Sequence, residues 1–343
     1  MKRKSFLSSL LGTPLLAAAS FQEPGRWETQ SAEDPAWRVP PYLKPGDTIG
    51  ITCPAGYMTL ADIQPAVQVI GGWGFNLRIG KTVGLRDFIF GGTDAERLAD
   101  LQQMLDDPTI QAIMCARGGY GCVRIIDQVD WRKFIERPKW IIGFSDITVL
   151  HAQINHRFHI ASIHSKMCNS FPENPATAEK GQWESILSIQ KALLGHPVEY
   201  PVVYDASNRR GKGQGILTGG NCKTIESLAG SNSDLRTDGM ILFLEDAGEY
   251  LYSVDRMFYN LKRSGKLTHL NGLLIGGFRV KADDPGDEFG QSIYNIVMNQ
   301  VAEFNYPVCF NFPVGHQKTN YALKCGVKHD LLITEDRVLF KEA

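Results

Sequence analysis

The sequence has almost no net charge: 36 Lys and Arg against 37 Asp and Glu leave a formal −1. That balance excludes the basic footprint of a nucleic-acid binder and the acidic composition of a solvating tail. No apolar run reaches the ~20 residues of a spanning helix, which excludes a polytopic membrane protein and gives no reason to expect stable membrane insertion. No repeat recurs at about 20–50 residues, so a solenoid is excluded. The seven cysteines are scattered with no Cys-x-x-Cys pair, and their odd number leaves at least one thiol unpaired. A disulfide framework therefore fits poorly, and most of these cysteines read as small buried hydrophobes. No cluster of His, Cys, Asp or Glu has metal-ligand spacing, and no cofactor is implied. A dinucleotide fingerprint is also missing, because Pro54-Ala55-Gly56 stands where Gly-x-Gly-x-x-Gly would follow the first strand.

What remains is a chain of 343 residues, 43% hydrophobic and 10% aromatic, with room for a large core. Its first twenty residues run from the cations Lys2, Arg3 and Lys4 through an apolar stretch to Ala17-Ala18-Ala19. That is the layout of a secretory signal, so residues 1–20 are expected to direct export to the periplasm or beyond, with a cytoplasmic location as the alternative. Residues 21–44 are polar and contain proline, and read as a linker.

From residue 45 to 172, short apolar runs alternate with helical patterns. Ile110–Ala116 and Trp140–Phe144 are continuously apolar, as strands buried on both faces must be. Between such runs, Thr93-Asp94-Ala95-Glu96 is a capping box that starts a helix with Leu98, Leu101 and Leu105 on one face. The pattern is that of βαβ units in a parallel α/β domain. Residues 173–212 read as a connection holding one helix, and residues 213–343 as a smaller, β-rich α+β domain ending in antiparallel ribbons.

In a parallel sheet, chemistry collects in the loops after the carboxyl ends of strands. Two such loops stand out, Arg117-Gly118-Gly119-Tyr120-Gly121 and Gly143-Phe144-Ser145-Asp146. The second has the strand–turn–helix context of a nucleophile elbow but lacks its closing glycine. Ser145 is thus either a nucleophile or an N-cap of the helix that follows. The glycine loop offers backbone amides to an oxyanion or a phosphate. A serine needs a base, and the base an orienting acid. His316, in the loop after Val308–Phe312, and Glu245, at the end of Ile241–Leu244, are placed to reach a neighbouring rim. His151, a turn and a half along the helix after Ser145, is expected in the core or on the surface instead.

Taken together, PAG, FGGTDAERLADL, ARGGYG, GFSDIT, GILTGGN, LFLED, DRM, IGGF and GHQ occur in this order over residues 45–340. In this the chain resembles the LD-carboxypeptidases (muramoyltetrapeptide carboxypeptidases), a family that includes the microcin C self-immunity peptidases. The resemblance implies a Ser145–Glu245–His316 triad, with an oxyanion hole from the amides of Asp146 and Gly119. It implies an active site in the groove between the two domains, a muropeptide substrate and a homodimer. A carboxypeptidase must hold a free carboxylate, for which Arg117 and Gly118 are the candidates; the competing reading pairs Arg117 with a structural acid such as Asp146. Two departures stand out. The family's aromatic-His-Gly-Pro-Met segment is here Ser162-Ile163-His164-Ser165-Lys166-Met167, and many relatives are cytosolic where this chain is expected to carry an export signal. The expected reaction is release of terminal D-Ala from a peptidoglycan tetrapeptide. The alternatives are cleavage of a peptidyl- or aminoacyl-nucleotide and, in another class, a periplasmic binding protein.

Overall fold

A computed structural model of the chain describes residues 36–343, so the expected export signal and most of the expected linker lie outside the described residues. The first half runs β1 (Thr48–Thr52), α1 (Leu60–Gly72), β2 (Asn76–Ile79), α2 (Asp94–Asp106), β3 (Ala112–Cys115), α3 (Cys122–Ile125), α4 (Arg132–Glu136), β4 (Trp140–Gly143), α5 (Thr148–Phe158) and β5 (Ser162–His164). After α6 (Lys180–Leu193) come β6 (Gly211–Asn221), α7 (Cys222–Ser227), β7 (Ile241–Ala247), α8 (Leu251–Arg263), β8 (Gly272–Arg279), α9 (Ile293–Val301) and β9 (Val308–Cys309). Three strands close the chain, β10 (Leu323–Cys325), β11 (Lys328–Ile333) and β12 (Val338–Glu342).

Every residue of β3 and β4 is buried, and both pair in parallel with their neighbours, as the continuous apolar runs predict. The helix α2 begins with the expected capping box: Thr93 Oγ1 accepts from the Glu96 amide, and Glu96 returns a carboxylate to the Thr93 amide. The first sheet has the order β10-β5-β4-β3-β1-β2, parallel except for β10. The second has the order β12-β11-β6-β7-β8-β9. Its strands β6 to β9 are parallel with helices between them, while β11 and β12 supply the antiparallel ribbon.

Two details were not expected. β10 leaves the C-terminal ribbon and pairs antiparallel with β5 of the first sheet, setting Leu323 opposite His164. Residues 38–43, within the expected linker, lie along the first sheet: Trp140 Nε1 donates to the Pro41 carbonyl and Tyr42 stacks on the Trp140 ring.

The two sheets are locked together where α5 meets β6. The Asn221 amide donates to Thr148 Oγ1 at 3.1 Å, and a Cβ on Gly220 would come within 2.5 Å of that oxygen. One apolar cluster joins Ile113 and Ile147 of the first half to Leu242, Leu244 and Val254 of the second. This seam carries the end of β4 to the ends of β6 and β7.

Candidate active site

Ser145 lies two residues past the end of β4 and opens a short 3₁₀ turn ahead of α5. It adopts φ +63°, a left-handed backbone that costs a non-glycine residue about 1–3 kcal/mol. Its side chain caps no helix amide, so the N-cap reading falls. The surroundings hold the strain in place. The Asp146 carboxylate, buried at the next position, accepts from the Cys122 amide at 2.8 Å and ties the turn to the start of α3. Burial pushes its pKa above the usual aspartate range. Behind the turn, the Gly143 carbonyl receives both the Ser165 amide and His151 Nε2. His151 is thus a core histidine, drawn down to about 4 by burial.

The glycine loop lies against this turn. A Cβ on Gly118 would meet Ser145 Cβ at 2.9 Å and Oγ at 3.1 Å, so only glycine permits the approach. The Gly118 carbonyl accepts from the Gly56 amide at 2.9 Å, which makes the Pro54-Ala55-Gly56 turn a prop for the loop. Gly119 has φ +106°, and neither its amide nor that of Asp146 donates to another described residue. Arg117 is exposed, its guanidinium lies 5.8 Å from the centre of the Tyr57 ring, and no ion pair within 4.0 Å joins it to Asp146.

Glu245 sits in β7 where the register with β8 slips between Leu244 and Asp246, an irregularity that re-aims a side chain. It is fully buried, and its Oε2 accepts from His316 twice, from Nδ1 at 2.6 Å and from the backbone amide at 3.1 Å. Its Oε1 has no partner among the described residues. Gly315 allows this embrace, because a Cβ there would strike Glu245 Oε2 at 2.6 Å. Burial alone lowers the pKa of His316, but the hydrogen bond and charge of Glu245 outweigh it, and the net shift is upward. With Nδ1 donating to the carboxylate, Nε2 is the free, basic nitrogen. The ring rests 4.9 Å from that of Phe144, which is backed in turn by His164. Both ring nitrogens of His164 lack partners among the described residues and burial holds it neutral, so it serves as an aromatic cushion.

Ser145 and His316 line one cavity of about 380 Å³, together with Gly119, Asp146, Asn221 and Asp246. No hydrogen bond of 3.5 Å or less joins Ser145 Oγ to the ring among the described residues. A second cavity, of about 470 Å³, also ends on His316 and is lined by Phe144, Lys166, Arg279 and Gln317. The structure therefore brings Ser145, Glu245, His316, Gly118, Gly119 and Asp146 together and leaves Arg117 outside. The close approaches at Gly315 and Gly118 escape a reading of the sequence, although each glycine stands beside a candidate residue.

Comparison with known proteins gives concordant results. The family model for the LD-carboxypeptidase N-terminal domain matches residues 49–165, and that for the LD-carboxypeptidase C-terminal domain matches residues 214–331. The chain is 30% identical over 283 residues to the murein tetrapeptide carboxypeptidase of Pseudomonas aeruginosa, covering 81% of this chain and 91% of that protein. It is 26% identical over 315 residues to the microcin C7 self-immunity protein of Escherichia coli, covering 83% and 90%. The crystal structure of muramoyltetrapeptide carboxypeptidase from Oxalobacter formigenes shares the fold, with a TM-score of 0.74 at 24% identity over 86% of this chain and 98% of that one.

Proposed function

Since the chain belongs to the LD-carboxypeptidase family and is a serine-type carboxypeptidase, we propose that it removes the terminal D-Ala from peptidoglycan tetrapeptides through Ser145, Glu245 and His316. The observation that carries this reading is the 2.6 Å pairing of His316 Nδ1 with buried Glu245, facing the same cavity as a serine held at φ +63°.

On this reading, substrate binding closes the gap between Ser145 Oγ and His316 Nε2, as active-site hydrogen bonds commonly tighten on complex formation. His316 Nε2 takes the hydroxyl proton while Ser145 Oγ attacks the carbonyl of the diamino acid. Glu245 stabilises the imidazolium and holds the tautomer. The amides of Asp146 and Gly119 receive the oxyanion; losing one such donor costs about 2.7–4 kcal/mol of transition-state stabilisation. The tetrahedral intermediate then breaks its C–N bond, His316 gives the proton to the departing amine, and D-Ala leaves. Water, deprotonated by the same nitrogen, attacks the acyl-serine ester; the C–Oγ bond then breaks, His316 returns the proton to Ser145 Oγ, and the shortened peptide leaves with a free carboxylate.

The test is turnover of a muropeptide tetrapeptide by the wild type and Ser145→Ala, with released D-Ala measured. The wild type is expected to release D-Ala and the variant to fall to a residual rate; equal rates overturn the reading. A peptidyl-nucleotide run in parallel addresses the activity suggested by the similarity to the microcin C7 self-immunity protein, and faster cleavage of that substrate would reassign the enzyme.

A further inference from the structure

The cleft also holds a buried cation that the reaction above leaves unused. Lys166 lies two residues beyond β5 and is only 7% exposed. Its Nζ donates to the Gln317 carbonyl at 3.2 Å, and no carboxylate oxygen comes within 4.0 Å among the described residues. An ammonium carries three donors, so two of them have no protein acceptor there. Burying such a group without a counter-charge is costly, and a ligand that brings the charge removes the penalty.

The charges around it favour an anion. Lys166 lines the cavity of about 470 Å³ with Arg279, Glu179 and Lys318. Glu179 and Lys318 neutralise each other in a 2.6 Å ion pair, which leaves Lys166 and Arg279 in excess. Glu245, behind the ring, is engaged by His316. Burial lowers Lys166 to about 8, so it is still mostly charged at neutral pH.

Position supplies the rest. His316 lines both cavities, and Ser145 lines only the other one. The departing amine is protonated by His316, so the remainder of the leaving amino acid extends to the imidazole side of the scissile bond. Arg117, the cation that the sequence brings forward for a carboxylate, lies on the Tyr57 ring and lines neither cavity.

We propose that this cationic cavity is the subsite for the free carboxylate of the leaving amino acid, bound by Lys166 with support from Arg279. The inference rests on the carboxypeptidase reading above and adds to it the residues that recognise the chain end.

The experiment compares a tetrapeptide with a free C-terminus and the same peptide as its C-terminal amide, cleaved by the wild type, Lys166→Met and Arg279→Gln. The wild type is expected to prefer the acid. Lys166→Met is expected to lose about 10- to 100-fold in kcat/KM on the acid, mainly through KM, and to leave the amide unchanged. Arg279→Gln is expected to show the same pattern, more weakly because the side chain is exposed. Equal losses on acid and amide would make Lys166 a support for the Gln317 loop and overturn the subsite, as would a wild type indifferent to the amide. Turnover of the amide doubles as the control for folding. Should Lys166→Met not fold, the acid-to-amide ratio of Arg279→Gln decides. A wild type that cleaves neither peptide overturns the functional reading and the subsite with it, an outcome distinct from an active enzyme with an unmoved ratio.

Discussion

The wall that carries Ser145 is held by backbone and one buried carboxylate, that of Asp146, whereas the wall that carries His316 is held by an ionisable pair. On the first, a left-handed serine, a glycine whose added Cβ would come within 3.1 Å of its hydroxyl and a carbonyl at Gly143 with two donors fix the position of one oxygen. On the second, a carboxylate with no exposure grips an imidazole through its ring and its amide. An added side chain at Gly118 should therefore act through the first wall, and removal of the Glu245 charge through the second.

The largest effect is expected at the nucleophile. Ser145→Ala should lower kcat by roughly 10⁶-fold, because removing the nucleophile of a serine hydrolase leaves only binding and the oxyanion hole; single-turnover assays would show it. Glu245→Gln keeps the shape of the second wall and removes its charge, so a loss near ~10⁴-fold in kcat is expected. A variant within tenfold of wild type would mean that the carboxylate serves packing alone. Gly118→Ala attacks the first wall without altering any charge. The added Cβ must displace Ser145, and a shift of about 1 Å costs about 100-fold in rate. Its pH profile should keep the wild-type shape, and a displaced profile would erase the distinction between the walls.

The smallest and most diagnostic effect concerns pH. His316 must be neutral to accept the serine proton, and Glu245 raises its pKa above 6.5 against the opposing pull of burial. Activity should thus rise with pH along a limb centred above 6.5, and Glu245→Gln should move that limb down. The sign for stability is opposite. The pairing contributes its full stabilisation below the unfolded-state pKa and loses it as pH rises through the folded one. Thermal melts of the wild type and Glu245→Gln should accordingly converge as the medium becomes alkaline.

Much of the first wall is legible in the residues, since β3 and β4 are buried on both faces and parallel strands of that kind must be continuously apolar. The loops that follow them then fall at strand ends, where chemistry gathers. Strands β5 and β10 resist such reading because each has three residues and includes a polar group, His164 in one and Lys324 in the other. Their burial reflects partners distant in sequence: His164 packs edge-on to Phe243, and Lys324 pairs with Glu342 at 3.0 Å. The second wall is half legible. Its two residues can be named from the apolar runs that precede them, yet their contact depends on the register slip at Glu245 and on the missing side chain of Gly315.

All seven cysteines are free and buried, in accord with their reading as small apolar residues. The sequence alone determined the βαβ order, the capping of α2 and the apolar runs after which a serine, an acid and a histidine follow. These follow from periodicity and local hydrogen bonding, which act over a few residues. Only the tertiary structure decided that Arg117 turns to Tyr57, that Lys166 is enclosed beside His316, and that β10 crosses to the first sheet. Those outcomes turn on which distant surfaces exclude water from one another, and that depends on all the packed elements at once.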